Sequence, residues 1–133
     1  LWPKIVCRHP AGTVTHGRPG YAHMLCFSRD VVPDLGRSTA DVLPSLGAMT
    51  WSRAMGLEAA RVAVRFVRTH TPSHTLVDPF CGVGTALAVA NAEGLHALGV
   101  ELSARRVRKA RTLHLDALSD TPRAGPPPPT PPR

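Results

Sequence analysis

The spacing of apolar residues changes character within one stretch of the chain, residues 75–101. Thr75-Leu-Val77 is an unbroken run of strand formers, which is typical of a strand buried in a parallel sheet. Asp78-Pro79 ends this strand, because proline cannot donate to a strand ladder. Helical spacing begins at Thr85, and residues 96–101 form a second apolar run that ends on an acid. The pattern predicts strand, glycine turn, helix and strand, which is half of a doubly wound sheet.

Upstream of this stretch, the pattern predicts an antiparallel pair of strands at the sheet edge, residues 5–8 and 21–28. Both faces of the second strand are largely apolar, so we expect it to be buried. Residues 30–47 contain repeated proline and glycine without a sustained period, which indicates a crossing segment. The predicted fold class is α/β: a partial doubly wound, Rossmann-like parallel sheet with an antiparallel edge pair.

Two further helices are predicted from periodicity. Apolar residues recur on one face of residues 57–67, arginines stay on the other face, and Ser52 is placed to cap this helix. Residues 104–113 form the second helix, with Ser103 as its cap. We therefore expect three segments: edge strands and crossing loop in 1–48, a strand-turn-helix-strand-helix unit in 49–118, and a proline-rich disordered tail in 119–133.

Composition narrows the class of protein. A formal net charge of +7 favours a polyanionic partner. Three cysteines without regular spacing favour free thiols in a reducing compartment such as the cytoplasm. No apolar run is long enough to span a membrane. Cys7-x-His9 and His23-x-x-Cys26 could mimic a metal site, but residues three apart on a strand point to opposite faces, so no metal is predicted.

The glycine turn limits the possible ligands. No lysine lies between Lys4 and Lys109, which excludes a P-loop, and a third glycine is missing from the dinucleotide fingerprint. Asp78 at the mouth of the turn would repel a pyrophosphate but suits an ammonium group. Glu101 at the end of the next strand is placed to accept hydrogen bonds from two ribose hydroxyls. A ligand with an amino-acid end and an adenosine end, S-adenosylmethionine, fits both acids.

Asp78-Pro-Phe-Cys-Gly-Val-Gly-Thr85 resembles the first motif of class I S-adenosylmethionine-dependent methyltransferases, in the form typical of permuted amino-methylating DNA and RNA enzymes. The resemblance implies that the motif lines the methionine part of the cofactor, that Glu101 holds the ribose, and that Cys81 packs without doing chemistry. The candidate cofactor-binding residues in and after the motif are Asp78, Phe80, Cys81, Gly82, Gly84, Thr85, Glu101 and Leu102.

In the permuted enzymes, a polar cluster and a helix directly precede this motif and complete the cofactor pocket. Met49-Thr-Trp-Ser-Arg-Ala-Met55 occupies that place here, so Thr50, Ser52 and Arg53 are candidates to contact the methionine carboxylate. A helix cap with a solvated arginine is the alternative. The family's catalytic Asn/Asp-Pro-Pro-aromatic loop is absent from these residues, and the permuted order would place it upstream of Leu1. Catalytic residues therefore remain unassigned, and the chain is expected to be the C-terminal, cofactor-binding half.

The predicted activity is methyl transfer to a base of DNA or RNA. Five cations of the last predicted helix are candidate phosphate contacts, although a solvated helix face is an alternative for such a run: Arg105, Arg106, Arg108, Lys109 and Arg111. Two other functions stay open, a non-catalytic module that binds cofactor or nucleic acid, and a methyltransferase for proteins or small molecules.

Overall fold

The computed structural model describes residues 2–10, 13–14, 16–17, 19–27, 40–51 and 54–115. The elements in chain order are β1 (Trp2–Cys7), β2 (Tyr21–Cys26), β3 (Val42–Leu43), α1 (Leu57–His70), β4 (Thr75–Asp78), α2 (Thr85–Ala92), β5 (His96–Gly99) and α3 (Ala104–Arg111). The predicted tail and most of the predicted crossing segment lie outside the described residues.

The unit of β4, α2 and β5 confirms the central prediction. β4 and β5 are parallel, with Thr75 opposite His96 and Asp78 opposite Gly99. Both strands therefore end at the same edge, and Asp78 stands at that edge. The second strand was predicted to run to Glu101, but regular strand geometry ends two residues earlier, at Gly99. Val100 N still donates to Asp78 O at 2.9 Å.

The second sheet has the order β2-β1-β3. β1 and β2 form the predicted antiparallel pair, with Trp2 opposite Cys26 and Cys7 opposite Tyr21. β3 pairs in parallel with β1, so the predicted crossing segment, residues 30–47, contains a short strand that its lack of a sustained period did not indicate. Two residues are too few to show a strand period in the sequence. The short strand forms because it pairs with the backbone of β1.

Burial of β2 also differs from the prediction. Its residues alternate between exposed and half-buried, and Leu25 on the outer face is 51% exposed. Apolar residues on both faces of a strand show only that both faces can be buried. The described elements cover one face of β2. Within the described residues the two sheets share no hydrogen-bonded strand pair. The architecture is α/β with two small sheets, one mixed and one parallel, consistent with a partial Rossmann-like fold.

The core lies between α1 and α2. Leu57, Ala60 and Val64 of α1 pack with Val89 and Ala90 of α2, and all five are buried. The predicted apolar face of α1 is therefore confirmed. Periodicity correctly places its arginines outside, and two of them pair with Glu93 at the end of α2.

The predicted cap of α1 is wrong. The helix begins at Leu57 with Gly56 as N-cap residue, five positions after Ser52, which lies outside the described residues. Backbone carbonyls replace a side-chain cap: Leu57 N donates to Ala48 O at 2.8 Å, and Glu58 N donates to Leu46 O at 3.0 Å. Ser103 does occupy the N-cap position of α3, but its side chain makes no capping hydrogen bond.

The sequence predicts no membrane-spanning segment and no metal site, and the structure bears on these two predictions only for the residues that it describes. None of its helices is long and apolar enough to cross a membrane. Among the same residues, no group of three or more potential metal ligands comes together.

Candidate functional site

The turn between β4 and α2 is fixed by its own backbone. Phe80 N donates to Asp78 Oδ1 at 3.0 Å, and Gly84 N donates to Cys81 O at 2.8 Å. Cys81 N donates to Val100 O at 3.0 Å, which attaches the turn to the end of β5. One carboxylate oxygen of Asp78 therefore shapes the turn, and no donor among the described residues lies within hydrogen-bond distance of the other oxygen.

Gly82 and Gly84 both have positive φ angles, 58° and 83°. Only glycine adopts this region without a penalty of about 1–2 kcal/mol. A Cβ on Gly84 would lie 2.9 Å from Ala110 Cβ of α3, whereas a Cβ on Gly82 would meet nothing within 4 Å. Gly84 is required by helix packing, and Gly82 leaves an open backbone surface that a ligand could approach.

Glu101 is held in a mostly covered position after β5. Its side chain is 9% exposed. Oε1 accepts a hydrogen bond from Ser103 N at 2.7 Å and lies 3.5 Å from Arg106 Nη1. Within the described part of the chain, no donor makes a hydrogen bond to Oε2. Among these residues, the carboxylate therefore keeps one oxygen available for hydroxyl groups.

The two acids line neighbouring cavities that meet at Cys81. Asp78 lines a cavity of about 860 Å³ between the turn, the segment before α1 and the sheet of β1 and β2. Glu101 lines a cavity of about 630 Å³ between α2, β5 and α3. Cys81 contributes to both walls. The sequence predicts that one ligand contacts both acids, whereas the structure places the two acids on two adjacent cavities at this strand edge.

Both acids affect the pKa of Cys81. Partial burial raises the pKa of its thiol, and the negative charges of Asp78 and Glu101 raise this pKa further. The thiol is therefore protonated at neutral pH, which argues against a nucleophile. A Cβ on Gly99 would lie 2.7 Å from Cys81 Sγ, so the side chain packs closely on β5. This packing agrees with the structural role expected for Cys81.

The segment before α1 contacts the turn from the other side. Thr50 Oγ1 and Thr85 Oγ1 are 2.6 Å apart and share a hydrogen bond. One of the two hydroxyls donates in this bond, so the other keeps a proton for a ligand carboxylate. The candidates Ser52 and Arg53 lie outside the described residues.

Sequence reasoning missed the role of Trp51. Its ring lines the Asp78 cavity, and the Arg106 guanidinium carbon lies 5.1 Å from the ring centroid. The only signal in the sequence is an aromatic residue in an otherwise polar cluster. The contact with α3 depends on tertiary packing, which that signal does not report.

Other candidate residues lie at the surface. Phe80 is 88% exposed on the rim of the Asp78 cavity, and Leu102 is 99% exposed and lines neither cavity. Arg106 is engaged with Trp51 and Glu101. The remaining cations of α3 are exposed: Arg105, Arg108, Lys109 and Arg111.

Comparison with known proteins identifies a similar fold. No protein-family model and no curated protein matches the sequence. Three solved structures of a proposed DNA modification methylase from Thermus thermophilus match, and one of them contains S-adenosyl-L-methionine. At 22% sequence identity, their TM-scores are 0.57 for this complex, 0.58 for a second crystal structure and 0.59 for the selenomethionine derivative.

Each match covers 91% of this chain and 55% of the other, so the chain spans about half the length of the solved structures. The resemblance predicted from the motif is confirmed at the level of the fold. The described elements therefore adopt part of the fold seen in a proposed DNA methylase that was crystallised with S-adenosyl-L-methionine.

Proposed function

We propose that this chain is the cofactor-binding part of an S-adenosylmethionine-dependent methyltransferase that acts on a base of DNA or RNA. One observation carries the proposal: Asp78 ends β4 and Glu101 follows the parallel strand β5 by two residues, beside a glycine turn that is hydrogen-bonded to the end of β5. Ligand sites of doubly wound sheets lie at this edge.

The donors and acceptors at the turn match the groups of this cofactor. The second carboxylate oxygen of Asp78 can accept from the ammonium group, and Oε2 of Glu101 can accept from a ribose hydroxyl. The hydroxyl pair of Thr50 and Thr85 can donate to the carboxylate. Both cavities fall within the range of about 300–1,000 Å³ that is usual for small-molecule sites.

The contribution of these residues to the reaction is positional. S-adenosylmethionine supplies an electrophilic methyl group and leaves as a neutral thioether. Asp78 and Glu101 hold the two ends of the ligand, which fixes the direction in which the methyl group points. The open surface at Gly82 allows the backbone to approach the ligand closely. The groups that hold the acceptor base are proposed to come from a further segment, because the family's acceptor loop is absent from the 133 residues.

Calorimetry tests the cofactor site. S-adenosylmethionine is titrated into the unaltered chain, Asp78→Asn and Glu101→Gln, with Asp41→Asn as the matched control on an exposed carboxylate. Hydrogen bonds to charged groups contribute about 1.5–3 kcal/mol, so each site variant should bind about 10- to 100-fold more weakly. Circular dichroism checks that all variants fold. Absence of binding by the unaltered chain, or equal binding by all four proteins, would refute the proposed site.

Transfer of a radiolabelled methyl group tests the activity, and the assay uses this chain together with the further segment that is proposed to hold the acceptor base. DNA, RNA and a protein mixture are offered separately, and label in a nucleic acid supports the proposal. Absence of the acceptor loop from this sequence favours one other function, a module that binds cofactor without catalysis. Cofactor binding without labelling of any substrate would support that module, and label in protein would support a protein methyltransferase.

A further inference from the structure

The cavity of Asp78 reaches from the glycine turn to the end of β1. Arg8 and His9 directly follow β1 and line this cavity, as does His23 of β2. Among the described residues that line it, Asp78 is the only carboxylate. The wall at the turn is therefore acidic, whereas the wall formed by the sheet carries a guanidinium and two imidazoles.

This cavity is larger than its proposed occupant. Its volume of about 860 Å³ lies near the top of the range of about 300–1,000 Å³ that holds whole drug-sized ligands. In the proposed binding mode only the amino-acid end of the cofactor enters it, because the ribose end contacts Glu101 in the other cavity. A second ligand can therefore occupy the part of the cavity that faces the sheet.

The remaining walls suit a nucleobase that carries a phosphate. Met49, Trp51 and Met55 line the cavity with apolar surface on which a planar base can pack. Arg8 and His9 are exposed to solvent as well as lining the cavity, so a phosphate can reach them from outside. Within the described part of the chain, neither of these two side chains makes a hydrogen bond or an ion pair. Guanidinium and imidazole N–H groups are both good phosphate donors.

We propose that Arg8 and His9 form an acceptor subsite: they bind the phosphate next to the target base, and the base occupies the cavity. The acceptor is then a single-stranded or extruded nucleotide, since a base stacked within a duplex cannot enter a cavity. The carboxylate of Asp78 repels the phosphate, which favours an orientation with the phosphate at the sheet and the cofactor at the turn.

This inference rests on the proposed function and deepens it, because it names the residues of this chain that contact the acceptor. Their role is to bind and orient the nucleotide. The groups that hold the reacting atom of the base are still proposed to come from the further segment.

Binding of a short single-stranded oligonucleotide tests the subsite, with DNA and RNA of the same sequence as the two probes. The chain has two tryptophans, so Trp2→Phe leaves Trp51 as the single tryptophan and serves as the parent protein. Arg8→Ala and His9→Ala in this background remove the phosphate donors one at a time. Each protein is first titrated with S-adenosylmethionine by calorimetry and then, in saturating cofactor, with the oligonucleotide at several salt concentrations.

The subsite predicts a specific pattern. Arg8→Ala should bind the oligonucleotide about 10-fold more weakly and His9→Ala about 3-fold, as expected for exposed donors to a charged acceptor. The slope of log K against log salt should fall by about 0.7 in Arg8→Ala, the value for one phosphate contact on a single strand. Both variants should bind the cofactor as the parent does. Trp51 emission should change when the oligonucleotide binds the parent. Arg65→Ala and His74→Ala are the matched controls and should behave as the parent, because both residues are exposed and line neither cavity.

The possible failures are distinguishable. Weaker cofactor binding by Arg8→Ala would assign this arginine to the methionine carboxylate, which would overturn the acceptor subsite but not the proposed function. The subsite alone would also fail if Arg8→Ala kept the affinity of the parent for both probes, if Arg65→Ala lost as much, or if binding left Trp51 emission unchanged. A parent that binds no cofactor would overturn the proposed function and the subsite with it.

Discussion

Gly84 and Gly82 differ at the scale of single residues, although both belong to the same motif. Both have positive φ, but only Gly84 faces a close neighbour, Ala110 of α3. Gly84→Ala should lower the free energy of unfolding by about 2–4 kcal/mol, from backbone strain together with overpacking. Gly82→Ala has the same backbone change in open space and should lose about 1–2 kcal/mol. Urea denaturation measures both, and equal losses would show that α3 does not pack on the turn.

Cys81 gives a second prediction at this scale. Partial burial, Asp78 and Glu101 all raise the pKa of its thiol, so the reactive thiolate forms only at higher pH than in an unperturbed cysteine. In a Cys7→Ser, Cys26→Ser parent, the rate of alkylation by iodoacetamide should therefore rise at a higher pH than for an unperturbed cysteine. Asp78→Asn removes one negative charge but keeps the Oδ1 acceptor, and should move the profile to lower pH. An unchanged profile, or the same shift with the control Asp41→Asn, would contradict the assigned cause.

The sequence predicts those parts of the site that depend on residues adjacent in the chain better than those that depend on tertiary contacts. The Asp-Pro pair and the spacing of Gly82 and Gly84 depend on neighbouring residues, and the structure has the expected turn. Two features depend on tertiary packing: the contacts of Arg106 with Trp51 and Glu101, and the division of the site into two cavities. Neither has a sequence period, so neither could be predicted.

At the scale of elements, the same distinction explains the errors. Periodicity places α1, α2 and both parallel strands, because a buried face repeats along each of them or a run is continuous. The start of α1 was misplaced because distant carbonyls, those of Leu46 and Ala48, satisfy its first amides instead of a serine. β3 was missed because two residues carry no pattern and the strand depends on its partner, β1.

The prediction of nucleic-acid binding concerns helix α3. Its four exposed cations are proposed to contact phosphates, whereas Arg106 is engaged elsewhere. Replacement of all four by glutamine should reduce the slope of log K against log salt for duplex DNA or RNA by about 3–4, because each lost phosphate contact removes about 0.9. The replaced residues are Arg105, Arg108, Lys109 and Arg111.

The control for this experiment removes charge from another helix. Arg61, Arg65 and Arg68 of α1 are replaced by glutamine, which lowers the net charge by three. If the control flattens the salt dependence as much as the α3 variant, the effect belongs to net charge. The cations of α3 are then a solvated face, which is the alternative interpretation of this run.

At the scale of the whole molecule, the described residues cover one side of the parallel sheet. Leu76 and Ala97 pack against the core between α1 and α2. Val77 and Leu98 alternate with them and are 59% and 60% exposed. Parallel sheets are normally buried on both faces, and the chain spans about half the length of the solved structures that it resembles. Moreover, the largest fully buried side chains in the described part are two valines. We therefore expect marginal stability and an apolar surface that binds hydrophobic dyes.

Substitutions on this exposed face should change the surface without unfolding the chain. Val77→Thr with Leu98→Thr keeps strand-forming or nearly isosteric side chains and removes apolar surface, so binding of anilinonaphthalene sulfonate should fall. The free energy of unfolding should change by less than about 1 kcal/mol, as is usual for exposed positions. Val64→Ala in the core is the comparison, with an expected loss of about 1.5–3 kcal/mol from lost burial and a cavity. Urea denaturation and sedimentation at two concentrations complete the measurement. If the double threonine variant loses as much stability as Val64→Ala, then this face is covered in solution, and the sheet has a second layer that the described residues do not supply.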